Sequence, residues 1–377
     1  MKIYLDNAAS TPLFPEVIET MKESFGEAVG NPSSIHDYGR RAKASIELAR
    51  RTIAGHLGSS IGEIFFTSGG TESNNTAIKC SVRDLGVERI ITTPIEHHCV
   101  LHSVDRVAKD HQVEVVYVHV NADGEVSLDH LKEILAAVQK KTLVSIIHGN
   151  NEIGTIQDLQ AIEDLCEEYN AYLHSDTVQT IGHHSFNLNE RKIHFLSGSA
   201  HKFHGPKGVG FLYMNGDAIL EPFVDGGAQE RNMRAGTENV YGIEGMAKAL
   251  DLSYQRFDQD RAFILKLRSQ LKEGLIRLIP DISFNGKQDN NYLYTVLSAQ
   301  FPQRIASDML LMNLDVNGIA ASGGSACSSG ADQGSHVIRS IKPEDQGTTV
   351  RFSFSSMNTE SEIEQTLKVL NQIIGGA

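Results

Sequence analysis

The chain is poor in cysteine, in net positive charge and in long apolar runs, and each shortage closes off a class of function. Four cysteines in 377 residues (Cys80, Cys99, Cys166 and Cys327) lie far apart, with no Cys-x-x-Cys pair. That spacing argues against a disulfide framework or a sequence-local zinc site, and it fits a reducing, cytoplasmic setting. The net charge is −13, so a nucleic-acid partner has no electrostatic support. No apolar run approaches the length of a membrane span. The start, Met1-Lys-Ile-Tyr-Leu-Asp-Asn, turns polar at once, so no signal peptide is expected. Internal repeats, low-complexity tracts and an obvious interdomain linker are also missing. What remains is the profile of a soluble globular protein, long enough for a sizeable core and two domains.

What is present centres on Ser197-Gly-Ser-Ala-His-Lys-Phe-His-Gly-Pro-Lys-Gly208. A short apolar run, Ile193 to Leu196, leads in, and Val209 to Tyr213 leads out, which reads as strand, crowded loop, strand. A solvated lysine needs no such setting. Burial and neighbouring cations lower a lysine's pKa and leave a free amine that can form a Schiff base. A lone loop lysine is most often an ordinary surface one, so Lys202 matters only if the rest of the chain supplies it with a partner.

Residues 3–5 read as a short strand, Pro15 opens a helix to about Phe25, and a second helix covers 37–57. Ile64-Phe-Phe-Thr67 is a short buried strand. It runs into Ser68-Gly-Gly-Thr-Glu-Ser-Asn-Asn75 and a helix start. Two glycines before a helix N-terminus can cradle a phosphate, though the same stretch also suits an ordinary capped turn. No Walker or G-x-G-x-x-G pattern follows. Strands at 89–93, 113–120, 142–147 and 171–174 then alternate with helices at 98–110, 127–138 and 158–169. Repeated units of this kind predict an α/β fold whose mostly parallel sheet binds ligands beyond the carboxyl ends of its strands. Glu96-His-His98, Asn150-Asn-Glu-Ile-Gly154, Ser175-Asp-Thr-Val-Gln179 and the lysine loop all sit at such ends. Asp176 there is either a buried carboxylate in need of a cation or a cap for the next turn.

Residues 225–239 form a long irregular segment, which in a compact chain is often functional. One long helix, with a break allowed, is expected over 240–278. The remainder reads as a smaller α+β domain, with strands near 292–297, 317–321 and 350–354 and helices near 305–312 and 360–374. The expected division is a large domain over 16–255 and a small one built from 1–15 and 256–377. Within the small domain, Cys327 stands among glycine, serine and alanine in Ala321-Ser-Gly-Gly-Ser-Ala-Cys-Ser-Ser-Gly330. An accessible thiol in such a loop is placed to act as a nucleophile rather than to pack.

An activated lysine, a carboxylate at a strand end, a phosphate cradle and a histidine after another strand jointly match pyridoxal 5'-phosphate. Its aldehyde needs the amine, its ring nitrogen needs the carboxylate, and its phosphate needs the helix N-terminus. The chain also resembles, over nearly its whole length, the fold-type I, class V aminotransferase-like enzymes, and among them the cysteine desulfurases of the NifS/IscS type. The resemblance rests on Tyr4-Leu-Asp-Asn-Ala-Ala, Gly30-Asn-Pro-Ser-Ser, Phe66-Thr-Ser-Gly-Gly-Thr-Glu-Ser, Glu96-His, Asn150-Asn-Glu-Ile-Gly, Ser199-Ala-His-Lys-Phe-His-Gly-Pro-Lys-Gly, Arg234-Ala-Gly-Thr-Glu-Asn and Ser322-Gly-Gly-Ser-Ala-Cys-Ser-Ser.

The resemblance implies a large cofactor domain with a smaller α+β domain and assigns roles to residues. Lys202 would attach the cofactor and move protons, and Asp176 would pair with the ring nitrogen. Gln179 and Asn151 would lie near the ring hydroxyl, and His97 would stack on the ring and assist proton transfer. Gly70, Thr71, Ser199 and His201 would hold the phosphate, with Thr237 added from the partner of a homodimer. Arg351 would clamp the substrate carboxylate, helped by Asn31. Cys327 would take the sulfur of L-cysteine as a persulfide, releasing L-alanine, and hand it to an iron–sulfur scaffold or a thiolation protein. The sequence departs from the family pattern in three ways. Thr177 follows Asp176 where alanine is usual, Ser322-Gly323 stands where two serines are usual, and the stretch from Cys327 to Arg351 is shorter than in scaffold-bound members. Alternatives are a selenocysteine lyase or another class V lyase or aminotransferase, a sulfur carrier that merely keeps the fold, and a metal-dependent hydrolase. The last rests on His98 and His102, four apart at a helix start; no acidic partner completes a ligand set, and no metal is expected.

Overall fold

A computed structural model describes residues 2–289, 291–305, 309–323, 334–344 and 347–375. A short strand β1 (Ile3–Tyr4) precedes helices α1 (Pro15–Glu27) and α2 (Asp37–Leu57). Proline at the first position of α1 and a left-handed Gly58 after α2 mark the start of one and the end of the other. Then come β2 (Ile64–Thr67), α3 (Gly70–Leu85), β3 (Arg89–Thr92), α4 (His98–His111), β4 (Glu114–Tyr117), α5 (Leu128–Ala137), β5 (Thr142–Ser145), α6 (Leu159–Glu168) and β6 (Tyr172–Asp176). Strands β7 (Phe195–Ser199) and β8 (Gly210–Met214) flank the lysine loop, as the strand–loop–strand pattern predicts.

These strands form one seven-stranded sheet in the order β2-β8-β7-β6-β5-β3-β4. All neighbours are parallel except β8, which runs antiparallel to both β2 and β7. Strands β2, β3, β5, β7 and β8 are buried at every residue. That is why they read as continuous apolar runs rather than alternating ones: helices cover both faces.

The expected long helix is two, α7 (Val240–Gln255) and α8 (Phe257–Leu278), which meet at the non-helical Arg256. Beyond it lie β9 (Ser283–Asn285), β10 (Val296–Phe301), α9 (Leu310–Val316), β11 (Ile319–Ala320), α10 (His336–Ile341), β12 (Thr348–Ser353) and α11 (Glu360–Gly375). Here the sequence reading needs correction. The strand expected near 292–297 starts at Val296, because Tyr292 and Leu293 instead pair with Thr155 and Gly154 of the large sheet's loops. The helix expected at 305–312 begins at Leu310, and β9 and α10 escaped notice because three and six residues are too few to show a period. Strands β9, β10 and β12 make an antiparallel sheet in the order β12-β10-β9.

Ile3 and Leu5 share a buried cluster with Leu267, Leu271, Leu297, Phe352 and Leu370, whereas Ile53, Val144, Leu196, Phe203 and Leu250 belong to another. The N-terminal segment therefore packs with the C-terminal third. β1 pairs in parallel with β11, and Asp6 bridges to Ser353. Among the described residues, no helix is long and apolar enough to cross a membrane.

Candidate active site

The carboxyl ends of β2, β3, β5, β6 and β7 open on a cavity of about 500 Å³. Gly70, Thr71, His97, Asn151, Asp176, Gln179, Ser199, His201, Lys202 and Arg351 all line it. Segments scattered over the sequence thus meet at one place, as ligand sites do in sheets of this kind.

Lys202 ends a single helical turn, Ala200–Lys202, directly after β7. Its Nζ donates to the backbone carbonyls of Ala8 at 2.6 Å and Ala9 at 3.0 Å. The side-chain amide of Gln179 also donates to Ala8 O, at 2.9 Å. The amine is thus held in place by the N-terminal segment, through two backbone carbonyls of the Tyr4-Leu-Asp-Asn-Ala-Ala stretch whose use the sequence does not show.

Asp176 is the last residue of β6 and only 4 % exposed. Both readings of it hold together. Its Oδ1 accepts the Val178 N–H at 3.0 Å and so caps the turn after β6, while Oδ2 accepts from Asn74 Nδ2 at 2.7 Å. Among the described residues it forms no salt bridge, so this buried carboxylate is held by neutral donors and lacks a cation. Thr177, the departure from the family pattern, is fully buried and donates its hydroxyl to Ser197 O at 2.7 Å. Its extra oxygen serves the β6–β7 contact.

The third part of the site is the start of α3. Gly69 has φ +147, a conformation open to glycine. A Cβ on Gly70 would come within 2.4 Å of Val178 Cγ2, so only glycine lets the helix enter so close to the turn after β6. The first N–H groups of a helix have no internal acceptor and favour an anion. Glu72, also on this turn, is gripped by Arg234 at 2.8 and 3.2 Å. This pair ties the irregular 225–239 segment to the helix start and keeps the Glu72 carboxyl below its usual range despite burial. The same segment is anchored by Glu230, buried and paired with Arg50 at 2.7 and 2.9 Å. Glu230, Arg231 and Asn232 all take left-handed φ values, a strain the ion pair must offset.

Burial shapes the titrating groups. His201 is pushed down to about 4 by burial, with Lys202 and Lys207 adding to it. His97, the N-cap of α4, is also lowered, by burial first and then by Lys202, His98 and His336, with Asp176 opposing. Glu96 is fully buried and raised to about 8 by burial, although Thr93 and the Ile147 N–H both donate to it.

Opposite the sheet, Arg351 on β12 is 1 % exposed. Nη1 donates to Asn151 O at 2.8 Å and Nη2 to Asp6 Oδ1 at 2.7 Å. The guanidinium is therefore fixed from both sides where it meets the cavity.

Two expected site residues lie elsewhere in this chain. Asn31 is exposed, and its Oδ1 accepts the Ser33 N–H at 2.9 Å in a turn before α2. Thr237 is exposed in the 225–239 segment. Cys327 lies outside the described residues. His98 and His102 stack, at 5.4 Å between ring centroids, and the His336 ring lies 4.4 Å from that of His98. Among the described residues, no group of three or more His, Cys, Asp or Glu is placed to hold a metal. Sequence reasoning missed Asp6, Ala8, Ala9 and Asn74. Asn74 lay within a stretch already singled out, but nothing marked it apart from its neighbours.

The residues fit pyridoxal 5'-phosphate. A buried carboxylate without a cation suits a protonated ring nitrogen, the glycine-flanked helix start suits the phosphate, and the amine suits the aldehyde.

Comparison with known proteins agrees. The family model "Aminotransferase class-V" matches residues 3–366. The chain is 42 % identical to "Cysteine desulfurase IscS" of Dictyoglomus turgidum, over 99 % of this chain and 94 % of the relative. Among solved structures, a "NifS-like protein" superposes with a TM-score of 0.92 at 35 % identity, covering 100 % of both chains. "SspA in complex with cysteine" superposes with a TM-score of 0.81 at 30 % identity, covering 95 % of this chain and 100 % of that one. The chain belongs to the class V aminotransferase family, in its group of pyridoxal-phosphate-dependent cysteine desulfurases.

Proposed function

We propose that this protein takes the sulfur of L-cysteine as a persulfide on Cys327, releases L-alanine, and passes the sulfur to an acceptor protein. The observation that carries this reading is the meeting of Lys202, Asp176 and the Gly70–Thr71 helix start on the cavity that Arg351 closes. A solved relative described as in complex with cysteine supports the substrate.

Bound there, the cofactor supplies an aldehyde that condenses with amines and a ring that draws electrons from the substrate Cα. Asp176 holds the proton on the ring nitrogen. Gly70, Thr71, Ser199 and His201 bind the phosphate, and the low pKa of His201 keeps its ring neutral. Gln179 and Asn151 orient the ring hydroxyl, and His97 covers the ring face. Lys202 would hold the cofactor through its aldehyde and would carry the proton lost from and returned to the substrate. Arg351 fixes the substrate carboxylate with a planar fork already set by Asp6 and Asn151, with Asn31 beside it. The Cys327 thiolate would attack the substrate sulfur, forming the new S–S bond as the C–S bond breaks, and the carbon would take up a proton to leave as alanine.

The protein works as a cytoplasmic homodimer in which Thr237 completes the phosphate site of the partner. Exposed apolar side chains at the α1–α2 junction, among them Phe25, Val29, Ile35 and Tyr38, support a second copy there. The separation of the Ile53–Leu196–Leu250 cluster from the Leu5–Leu271–Phe352 cluster supports a division into 16–255 and 1–15 with 256–377, although Phe14 packs in the first cluster and Val337 and Ile341 pack with Ile95 and Ile153. The acceptor is an iron–sulfur scaffold or a thiolation protein. Replacing Cys327 by alanine tests the reading: the pyridoxal-phosphate-loaded variant should keep its visible absorption band and lose alanine and sulfide production from L-cysteine. Unchanged turnover would sink the assignment.

A further inference from the structure

Under the cavity runs a buried line of polar contacts that none of these roles uses. Ser145 Oγ lies 2.8 Å from His174 Nδ1, and His174 Nε2 lies 3.1 Å from Asn74 Oδ1. Asn74 Nδ2 reaches Asp176 Oδ2 at 2.7 Å and Cys99 Sγ at 3.3 Å. Cys99 Sγ in turn lies 3.0 Å from His97 Nδ1. Ser145, His174 and Asn74 are completely buried.

The direction of each bond follows from what its members can do. A carboxylate only accepts, so the amide edge of Asn74 that faces Asp176 is its NH₂. Asn74 Oδ1 then faces His174 and requires a proton on Nε2. Burial pushes His174 down to about 4, so its ring is neutral, Nδ1 accepts, and the Ser145 hydroxyl donates. At the other end, His97 Nδ1 accepts the Cys99 backbone N–H at 3.2 Å as the cap of α4. That nitrogen therefore carries no proton, and the Cys99 thiol donates to it while accepting from Asn74.

We propose that Asn74 is the positioning residue of this site: one N–H holds the Asp176 carboxylate, and the other, through the Cys99 thiol, keeps the His97 proton on Nε2. His174 and Ser145 fix the orientation of the amide. The charged and titratable groups that face His97 are Asp176, Lys202, His98 and His336; they set its charge, and the contacts at Nδ1 set its tautomer. Held so, His97 offers a bound molecule an Nε2–H donor, since protonating Nδ1 would break the cap of α4. The Asp176 carboxylate and the His97 imidazole thus answer to one amide. This inference rests on the function proposed above.

The test uses holoenzyme loaded with pyridoxal phosphate. Asn74→Ala should leave KM for L-cysteine within about twofold, lower kcat about tenfold, and move the pH midpoint of the visible band by about one unit, the scale of a lost hydrogen bond to a charged group. Cys99→Ala should leave that midpoint alone but alter the pH profile of kcat and, in NMR of nitrogen-labelled histidine, mix the His97 tautomers; Cys99→Ser, which keeps a donor, should restore both. A wild-type midpoint and kcat in Asn74→Ala overturn the proposal. Should that variant fail to fold, a wild-type tautomer and pH profile in Cys99→Ala overturn it instead. Failure of the wild-type protein to bind pyridoxal phosphate would overturn the functional reading itself, a result distinct from either.

Discussion

The two walls of the cavity are made in different ways. The sheet wall takes its residues from the carboxyl ends of strands in one sheet, so Gly70, His97 and Lys202 each follow a strand and Asp176 ends another. The facing wall joins distant parts of the chain, with Arg351 bound to Asp6 across 345 positions. The sheet wall can be read unit by unit from local motifs. The facing wall exists only once both ends of the sequence have met. The difference also divides the labour: the sheet wall suits the cofactor, and the facing wall suits the substrate.

Four experiments would break or sharpen that division. Lys202→Ala should cost roughly three orders of magnitude or more in turnover, because it removes the amine that the reaction passes through. Its absorption spectrum should lose the band of the attached cofactor. Survival of that band would place the attachment elsewhere. Arg351→Lys comes next. A point charge cannot reproduce the fork held by Asp6 and Asn151, so KM for L-cysteine should rise about a hundredfold while cofactor affinity stays near wild type. A large loss of cofactor instead would show that the walls are not separate in function.

The third experiment is acidification, which should strike the sheet wall. His148 is held near 3, and His174, His201 and His204 near 4, each chiefly by burial, against an ordinary 6.5. Between 6.5 and about 4 the unfolded chain takes up protons that the folded one refuses, so stability falls as pH drops through that window. Glu96 works in the opposite sense. Its carboxyl is raised from 4.5 to about 8, so the folded state keeps a proton that the unfolded state has lost, and stability declines as pH rises across that range. Thermal unfolding should show Tm lower at pH 4.5 than at pH 6.5 by roughly 10 °C. Glu96→Gln should lose less Tm than wild type between pH 6.5 and 8. A flat wild-type profile would mean that water reaches these rings in the folded state. The smallest effect belongs to Thr177→Ala, which loses one hydrogen bond to Ser197 O and should cost about 1 kcal/mol in urea unfolding with little change in turnover.

Legibility followed the same division. Alternating strands and helices announced the large sheet, and the carboxyl-end rule pointed to His97, Asn151, Asp176 and Lys202 before any contact was known. The antiparallel β8 caused no error, since a strand's direction does not alter its apolar pattern. The small sheet was read less well. Tyr292 and Leu293 look like strand residues because they are apolar, yet they pair with Thr155 and Gly154, and only the tertiary fold decides between such partners. The carbonyls of Ala8 and Ala9 were invisible for a plainer reason: every residue has a backbone oxygen, so its use leaves no trace in the sequence. Asn74 was hidden differently. An asparagine near a helix start reads as a local cap, and its buried hydrogen bonds reach His174 and Asp176 on β6 and Cys99 on α4, two segments distant in sequence.

The contact between Arg351 and Asp6 has a consequence for how the protein is born. A ribosome releases the chain from its N-terminus, so the sheet and its cofactor pocket can assemble while the last strands are still unmade. Asp6 must wait for almost the entire chain before its arginine appears, and closing so long a loop is the slow, entropically costly step. The sheet wall of a nascent chain can therefore form without yet having a grip on an amino acid, and the substrate side of the cavity is complete only when synthesis nearly is.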